Sequence, residues 1–336
     1  MAKVELRILT RDDVERLMPP MADIMEVIET GLAAHGTGDV VLPPKAHIHL
    51  DERYNGHFNV LPGWAGPIDT AGVKVVGDYV DNYKHGLPSE VGLLTLYDPR
   101  TGVPFAFMDA TAITARRTGA VTGVGAKYLA DSSARIVGHL GARGSAFSNI
   151  ESLCEQFPIE EVRINSKRRE TRTALADEVT RRLGVSAVAV DSAQEAVDGA
   201  DIVVEATRLR QPELLIRDEW LSPKCLLITF GWVMATDPKT VANASKIVVD
   251  DWQQCTHGGQ LFPLIDSGEL RRDNVHAEIG EIVSAKHVGR EAGDGKIVFW
   301  HRGFAISDIM LGNHIAEIAR HRDIGVVVTM FDREPE

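Results

Sequence analysis

The stretch Arg135–Phe157, RIVGHLGARGSAFSNIESLCEQF, decides the fold of this chain. It opens with β-branched apolar residues, continues through Gly138, Gly141 and Gly144, and places apolar residues at helical spacing from Ala146 onward. The pattern predicts a buried strand, a tight glycine-rich turn and a helix.

A turn of this kind is suited to a dinucleotide. A helix N-terminus presents unpaired backbone N–H groups, and glycine lets a pyrophosphate approach them closely. The fingerprint G-x-G-x-x-G/A is matched at Gly141 and Ala146, whereas Arg143 replaces the middle glycine and either obstructs a phosphate or binds one. We expect a dinucleotide here; the alternative is an ordinary strand-to-helix turn, which also uses glycine.

Strands and helices alternate after this turn. Strand patterns occur at 161–165, 185–190, 201–205, 225–230, 246–250 and 297–300, with helical patterns at 171–183 and 193–197. This alternation predicts an α/β fold with a Rossmann-type, doubly wound parallel sheet over residues 131–301.

The residues before this sheet predict a separate α+β domain over residues 1–130. The patterns are a strand at 6–9, a helical region capped by Thr10 and ending near Gly36, strands at 46–50 and 71–76, a hairpin of 86–98 with 103–108, and a helix at 110–129. A last helix at 304–319 is expected to pack on this domain, and residues 330–336 are expected to form a frayed tail.

The bulk composition limits the partners. The formal net charge of -12 argues against a nucleic-acid partner, and no apolar run reaches the length of a membrane span. Cys154, Cys225 and Cys255 are odd in number and widely spaced, which indicates free thiols in a reducing compartment. With no leader pattern at the start, we expect a cytoplasmic protein.

Several polar residues stand out in the first domain. His47 and His49 share one face of a strand, but no third ligand is evident nearby, so we interpret them as ordinary polar residues and predict no metal site. Lys74 interrupts an apolar strand, so it lies at a strand end, forms an ion pair or faces a ligand. Arg116 and Arg117 point about 100° apart on a helix, so only one of them is expected to face a cleft.

An ordered set of motifs resembles the ornithine cyclodeaminase and mu-crystallin family over about residues 40–315. The motifs are 71–74 (AGVK), 114–120 (TARRTGA), 277–281 (AEIGE), 289–290 (GR) and 299–303 (FWHRG) followed by Asp308. The resemblance implies an NAD(P)-dependent enzyme acting on a small α-amino or α-imino acid. It also implies a homodimer, in which residues 1–130, completed by 302–336, form a substrate-binding and dimerisation domain.

The resemblance assigns the substrate carboxylate to Lys74 and Arg117. Lys45 stands where the family has a third arginine, and it keeps the charge while losing the two-pronged contact. Two cations converging on one anion would fix the α-carbon against a nicotinamide, and fixed geometry is most of what hydride transfer requires of a protein. Lys74, Arg117 and Lys45 are therefore the candidate catalytic residues.

The end of the second Rossmann strand bears on the cofactor. NAD selection usually uses an acid there, but the strand is followed by Ser166, Lys167, Arg168 and Arg169. The sequence thus favours NADP(H) over NAD(H), unless these cations are only a solvated loop. The candidate cofactor-binding residues are Gly141, Arg143, Gly144, Ser145, Ala146, Ser166, Lys167, Arg168 and Thr118.

A further departure bears on the reaction. Cyclodeaminases of this family carry an aspartate after the fifth Rossmann strand, whereas residues 230–234 are FGWVM, with Trp232 and Met234 suggesting a less polar side-chain pocket. Asp237, before Pro238, is interpreted as a helix cap. We therefore expect an imine reductase or amino-acid dehydrogenase; the alternatives are a cyclodeaminase-type lyase and a non-catalytic NADPH-binding protein. His301 has no assigned role.

Overall fold

The computed structural model describes residues 3–332. The chain divides into two compact units: residues up to Arg117 together with those from Phe304 onward, and Thr118–Gly303. Helices and strands are numbered in chain order below.

Within residues 3–332, the first unit contains eight strands. They are β1 (Val4–Leu9), β2 (Val40–Val41), β3 (Ala46–His49), β4 (Gly56–Ala65), β5 (Thr70–Tyr79), β6 (Glu90–Tyr97), β7 (Pro104–Asp109) and β16 (Val326–Phe331). Its helices are α1 (Arg11–Leu17), α2 (Met21–Thr37), α3 (Asp51–Tyr54), the start of α4 (Thr111–Leu129), and α12 (Ala305–Arg322).

These strands form one mixed sheet in the order β16-β1-β7-β6-β5-β4-β2, with β3 paired to β4. Residues alternate between its two faces, and one face is buried under α12, which also packs on α2. Glycine allows the close approach: a Cβ at Gly72 would lie 2.8 Å from Ile309 Cγ1. The C-terminal helix and the front of the chain therefore share one hydrophobic core.

Two features of this unit differ from the sequence-based expectation. The helical region after Thr10 is two helices, because Pro19 and Pro20 lack the backbone N–H that an unbroken helix needs. The prediction of a frayed tail was wrong for Met330 and Phe331, because both belong to β16, which pairs antiparallel with β1 as far as Phe331. Residues 333–336 lie outside the described part of the chain.

The second unit contains eight further strands. They are β8 (Ile136–Leu140), β9 (Glu161–Asn165), β10 (Ser186–Ala189), β11 (Ile202–Glu205), β12 (Leu226–Thr229), β13 (Lys246–Val249), β14 (Ala277–Glu278) and β15 (Ile297–Trp300). Its helices are α5 (Ala146–Gln156), α6 (Arg169–Leu183), α7 (Ala193–Val197), α8 (Pro238–Ala242), α9 (Trp252–Cys255), α10 (Phe262–Asp266) and α11 (Ile279–Val283).

The strands of this unit form one sheet in the order β10-β9-β8-β11-β12-β15-β13-β14, and all of its pairings are parallel. The Rossmann-type fold is thus confirmed. After β8 the chain first adds β9 and β10 on one side and then crosses to add β11 on the other. In such sheets a ligand binds at the carboxyl ends of the strands where the order reverses, which here is between β8 and β11.

The units divide at residue 117, whereas the sequence placed the boundary at 130. The reason lies in the second half of α4, which packs against the Rossmann unit. A Cβ at Gly119 would lie 2.4 Å from the Ser148 backbone, and one at Gly125 would lie 2.2 Å from the Phe299 ring. Glycine at these two positions lets the helix approach α5 and β15 closely.

None of the helices within residues 3–332 is both long and apolar enough to span a membrane.

Candidate active site

Lys74 lies in the middle of β5, on the buried face of the first unit's sheet, with a relative exposure of 1%. Its Nζ lies 2.6 Å from Asp308 Oδ1 on α12 and donates to Thr114 Oγ1 on α4 at 3.2 Å. A buried lysine requires such partners because an unpaired charge in the core is costly. Of the three sequence-based alternatives for Lys74, the ion pair is therefore present. Among the described residues, Asp308 and Thr114 accept two of the three ammonium protons, and the third has no acceptor.

Arg117, on α4, reaches the same carboxylate. Its Nε donates to Asp308 Oδ1 at 3.0 Å, and the side chain is 8% exposed. The Nη end of the guanidinium makes no hydrogen bond to any residue that the structure describes. Lys74 and Arg117, far apart in sequence, thus converge on one oxygen of Asp308.

The electrostatics of this cluster favour an additional anion. Burial lowers the pKa of Lys74 to about 8, and the nearby positive charge of Arg117 adds to this effect, whereas Asp308 and Glu90 oppose it. The second oxygen of Asp308, Oδ2, is buried and has no hydrogen-bond partner among the described residues. The cluster therefore combines two cations, one shared carboxylate oxygen and one unsatisfied acceptor.

Lys45, the third expected carboxylate ligand, is half-buried and immediately precedes β3. Ala46 pairs with Val60 on β4, and the next residue of β4, Leu61, pairs with Lys74. The backbone of Lys45 therefore lies beside β4 near Leu61, the residue that pairs with Lys74 on β5.

In the second unit, the turn between β8 and α5 has the geometry that a phosphate-binding turn requires. Gly141 has a φ of 105°, and a Cβ there would lie 2.6 Å from the carbonyl oxygen of Ala206, which follows β11. Gly144 has a φ of 61°. Only glycine adopts such backbone without strain, and the turn lies at the reversal of strand order. The residues present fit a dinucleotide.

The positively charged candidates of this unit are accessible. Arg143, which replaces the middle glycine, is exposed, as are Lys167 and Arg168 after β9. Ser166 lies between β9 and this pair, and its hydroxyl donates to the Arg168 carbonyl at 3.1 Å. Residues 165–169 contain neither aspartate nor glutamate.

A buried network of hydrogen-bonded polar side chains supports the turn between β8 and α5, and sequence reasoning missed it. The Nδ1 of His139 lies 2.8 Å from the Gly141 carbonyl; because a carbonyl only accepts, Nδ1 carries the proton. Nε2 then accepts from Asn149 Nδ2 at 3.1 Å, and Asn149 Oδ1 accepts from Thr122 Oγ1 at 3.2 Å. Burial lowers the pKa of His139 to about 4, so the imidazole is neutral at pH 7.

His301 lies at the other end of this hydrogen-bond network. Its Nε2 is 3.4 Å from Thr122 Oγ1, its backbone N–H donates to Thr229, and its ring lies 4.6 Å from that of Phe230. His301 therefore links the ends of β15 and β12 to α4. An internal histidine in an apolar run was its only sequence signal.

The region after β12 carries no acid, as expected for residues 230–234. Trp232 is 52% exposed, and the guanidinium of Arg302 lies 4.6 Å from its ring centroid. Asp237 caps α8 by accepting from Lys239 N at 2.9 Å, with Pro238 at the first helical position. The interpretation of Asp237 as a cap is confirmed.

Asp308 is the important residue of the first unit that sequence reasoning did not assign a role. The signal was present, because an acid inside the apolar α12 run must find a partner when buried. Its partners could not be read from the sequence, since they lie 191 or more residues away.

Known proteins resemble this chain over nearly its whole length. The family model described as the ornithine cyclodeaminase/mu-crystallin family matches residues 4–323. Alanine dehydrogenase of Archaeoglobus fulgidus is 31% identical, covering 98% of this chain and 99% of that protein.

Two solved structures have the same fold. The Δ1-pyrroline-2-carboxylate reductase of Thermococcus litoralis, in complex with NADH and L-proline, is 30% identical with a TM-score of 0.89, covering 95% of this chain and 99% of that one. An archaeal alanine dehydrogenase dimer with bound NAD is 30% identical with a TM-score of 0.90, covering 97% and 100%. The family match and the shared fold agree with the motifs, and this chain belongs to the ornithine cyclodeaminase/mu-crystallin family.

Proposed function

We propose that this chain is an NAD(P)H-dependent oxidoreductase of the imine reductase or amino-acid dehydrogenase type, acting on a small α-imino or α-amino acid. The observation that carries the proposal is the buried cluster of Lys74, Arg117 and Asp308. The relatives described above are named alanine dehydrogenase and Δ1-pyrroline-2-carboxylate reductase, and both names agree with this reaction type.

The two cations are the proposed carboxylate ligands. Asp308 occupies only the Nε of Arg117, so the Nη end is available for the two-pronged contact that guanidinium makes with a carboxylate. The third ammonium proton of Lys74 provides a further donor. A second carboxylate would also balance the excess positive charge of the buried pair. Lys45 is proposed as a third ligand.

Asp308 Oδ2 is the proposed acceptor for the substrate nitrogen. It is buried without a hydrogen-bond partner in residues 3–332, and leaving such a carboxylate oxygen unsatisfied is costly. The N–H of an ammonium or an iminium group would satisfy it. The cluster then matches both ends of an α-amino acid, with cations for the carboxylate and an anion for the nitrogen.

A bound nicotinamide would supply a hydride to the α-carbon of the imine, or accept one from the amino acid. The proposed cofactor ligands are the turn residues Gly141, Arg143, Gly144, Ser145 and Ala146, together with Thr118. For reduction, the protonated Lys74 and Arg117 hold the carboxylate and orient the α-carbon. With a pKa near 8, Lys74 is also able to exchange a proton with the reacting nitrogen near neutral pH.

The reaction is tested with a panel of cyclic imino acids, 2-oxo acids with ammonia or amines, and diamino acids, by following the absorbance of the reduced cofactor. Net oxidation of NADH or NADPH with an imino acid is the expected result. Release of ammonia without net change of the cofactor would instead identify a cyclodeaminase. Tight cofactor binding without turnover on any substrate would identify a binding protein.

Lys74→Met tests the proposed clamp. We expect turnover to fall at least about 100-fold, because a positioning charge is lost, while the Kd for the reduced cofactor changes less than about twofold. Lys239→Met, at an exposed lysine of α8, is the matched control and should behave as the wild type. Full turnover in Lys74→Met would show that the clamp is misassigned.

We further propose that the enzyme prefers NADP(H) over NAD(H). The strand β9 is followed by Ser166, Lys167 and Arg168, which would hold a 2′-phosphate. No acidic residue stands there to bind the ribose hydroxyl of NAD(H). The variant Lys167→Ser/Arg168→Ser should weaken NADPH binding about tenfold and leave NADH binding unchanged. Arg181→Ser, at an exposed position of α6, is the control, and equal losses for both cofactors would contradict the preference.

We propose a homodimer in the cytoplasm. The sheet of the first unit exposes an apolar face opposite Lys74, which contains Ile48, Val75, Val91 and Leu93 at 37–52% exposure. A contiguous apolar face of this kind is typical of an interface. The archaeal relative with the same fold is a dimer. The proposed location rests on the three free cysteines, which are consistent with a reducing compartment.

A further inference from the structure

Glu205, the last residue of β11, is a buried acid with no part in the reaction described above. It is 0% exposed and pairs in register with Thr229 of β12, so both side chains lie on one face at the carboxyl end of the sheet. Within residues 3–332, none of its hydrogen-bond partners carries a positive charge. A carboxyl group buried in this way is costly unless neutral donors satisfy its oxygens.

Oε1 of Glu205 fixes the segment that follows β11. It accepts from the backbone N–H of Thr207 at 2.8 Å and also from the hydroxyl of that residue. A buried backbone N–H requires an acceptor, and Glu205 provides it. The segment fixed in this way includes Ala206, whose carbonyl borders Gly141 of the phosphate-binding turn.

Oε2 of Glu205 fixes the segment that follows β12. It accepts from Thr229 Oγ1 at 3.0 Å and from Gln260 Nε2, and the backbone N–H of Gly231 donates to the same carboxyl group. A Cβ at Gly231 would lie 2.7 Å from Oε2, so glycine is needed for this close approach. Gln260 is itself oriented, because its Oε1 accepts from Thr236 Oγ1 at 2.9 Å. One side chain thus joins the segments after two neighbouring strands.

This connection does not depend on the charge of Glu205. Burial raises the pKa of its carboxyl group, and the hydrogen bonds from Thr207, Thr229 and Gly231 oppose this effect. In either protonation state both oxygens can accept from backbone N–H groups, since the threonine hydroxyls are free to donate or to accept. A glutamine at this position differs, because its NH₂ group only donates and would leave one of the two segments without its acceptor.

The two segments lie on the half of the sheet that takes the nicotinamide end of a dinucleotide. In a doubly wound sheet the pyrophosphate lies at the turn after the first strand and the adenosine ribose at the end of the second. Here these places are the turn after β8 and the residues after β9. The other nucleotide therefore belongs across the reversal of strand order, at the carboxyl ends of β11 and β12.

We propose that Glu205 is a positioning residue for the nicotinamide half of the cofactor, acting through the backbone at Thr207 and Gly231. This role rests on the proposed function, because it requires a bound nicotinamide cofactor, but it does not depend on which imino acid is reduced. Glu205 is buried beneath the two segments and sets their position without touching the cofactor.

The test compares the reduced cofactor with a fragment that lacks the nicotinamide nucleotide: NADPH with adenosine 2′,5′-bisphosphate, and NADH with ADP. In Glu205→Gln, calorimetric titration should show the Kd of the preferred reduced cofactor raised at least about fivefold and that of its fragment changed less than about twofold. Thr207→Val loses only the hydroxyl contact and should raise the Kd of the cofactor about threefold. Thr207 is half-buried, so this second variant should keep its fold, which far-UV circular dichroism would verify.

Asp218→Asn is the matched control. Asp218 is a partly buried carboxylate of the same unit, and it pairs with Lys296 at the amino end of β15 and accepts from Asn243 Nδ2 at 2.9 Å. This variant should bind cofactor and fragment as the wild type does. The proposal is overturned if folded Glu205→Gln or Thr207→Val binds the reduced cofactor as tightly as the wild type, or if the fragment loses as much affinity as the cofactor. Because the readout is binding, a lack of turnover on every imino acid would contradict the proposed reaction and not this role.

Discussion

At the scale of single residues, Lys74 is the most informative side chain, because burial lowers its pKa to about 8. The ammonium is therefore protonated at neutral pH and loses its proton as the pH rises through about 8, well below the usual range for lysine. If the charge holds the substrate carboxylate, kcat/KM for imine reduction should decrease above this pH. The measurement is a pH profile of kcat/KM from about pH 6 to about pH 10, a range that spans the pKa of Lys74.

The neighbours of Lys74 provide the controls for this profile. Asp308 and Glu90 raise its pKa, and Arg117 lowers it. Asp308→Asn should move the decrease to lower pH, since the main charge that stabilises the ammonium is lost. Lys74→Arg should remove the decrease, because a guanidinium stays charged over this range. A profile that is identical in all three proteins would contradict the role of Lys74.

At the scale of elements, the turn between β8 and α5 depends on Gly141 for both conformation and space. A Cβ at this position would lie 2.6 Å from the Ala206 carbonyl oxygen, and the φ of 105° disfavours any other residue. Gly141→Ala should therefore raise the Kd for NADH or NADPH at least about tenfold, which corresponds to about 1.4 kcal/mol, as measured by fluorescence titration.

Gly184 separates this effect from a general loss of stability. It has a φ of 70° at the end of α6, and nothing lies within 4 Å of a Cβ built there. Gly184→Ala should cost about 1 kcal/mol in the free energy of unfolding and leave the cofactor Kd unchanged. Equal cofactor affinities of the two variants would mean that the turn does not hold the dinucleotide.

At the scale of the whole molecule, the exposed apolar face of the first unit predicts the oligomeric state. Burying Val75 and Leu93 against a second copy is favourable, and a charge at either position would oppose it. Light scattering should give a dimer for the wild type and a monomer for Val75→Asp/Leu93→Asp. Val188→Asp, at a valine of β10 that is 44% exposed, is the control and should remain dimeric.

A monomeric wild type at micromolar concentration would refute the dimer. So would an unchanged mass of the Val75→Asp/Leu93→Asp variant. The thermal stability of that variant should be compared with the wild type, because a homodimer loses stability when its interface is broken.

The sequence by itself determined seven of the eight strands of the Rossmann unit, whereas β14 and the short helices α9, α10 and α11 were not predicted. The strand at Glu161–Asn165 and the helix at Ala193–Val197 occur as expected, and Gly141 opens the turn, because hydrophobic period and glycine content are properties of neighbouring residues. The chain ends of the first unit were less predictable. Whether Met330 joins a strand depends on β1, which provides the partner edge from the other end of the chain.

Only the tertiary structure decided how the candidate sites are assembled. Lys74, Arg117 and Asp308 are distant in sequence, and nothing local indicates that the two cations share one oxygen of a single carboxylate. Periodicity along a chain fixes which face a side chain takes on its own element, whereas charged groups interact through distances that only the packing of those elements sets.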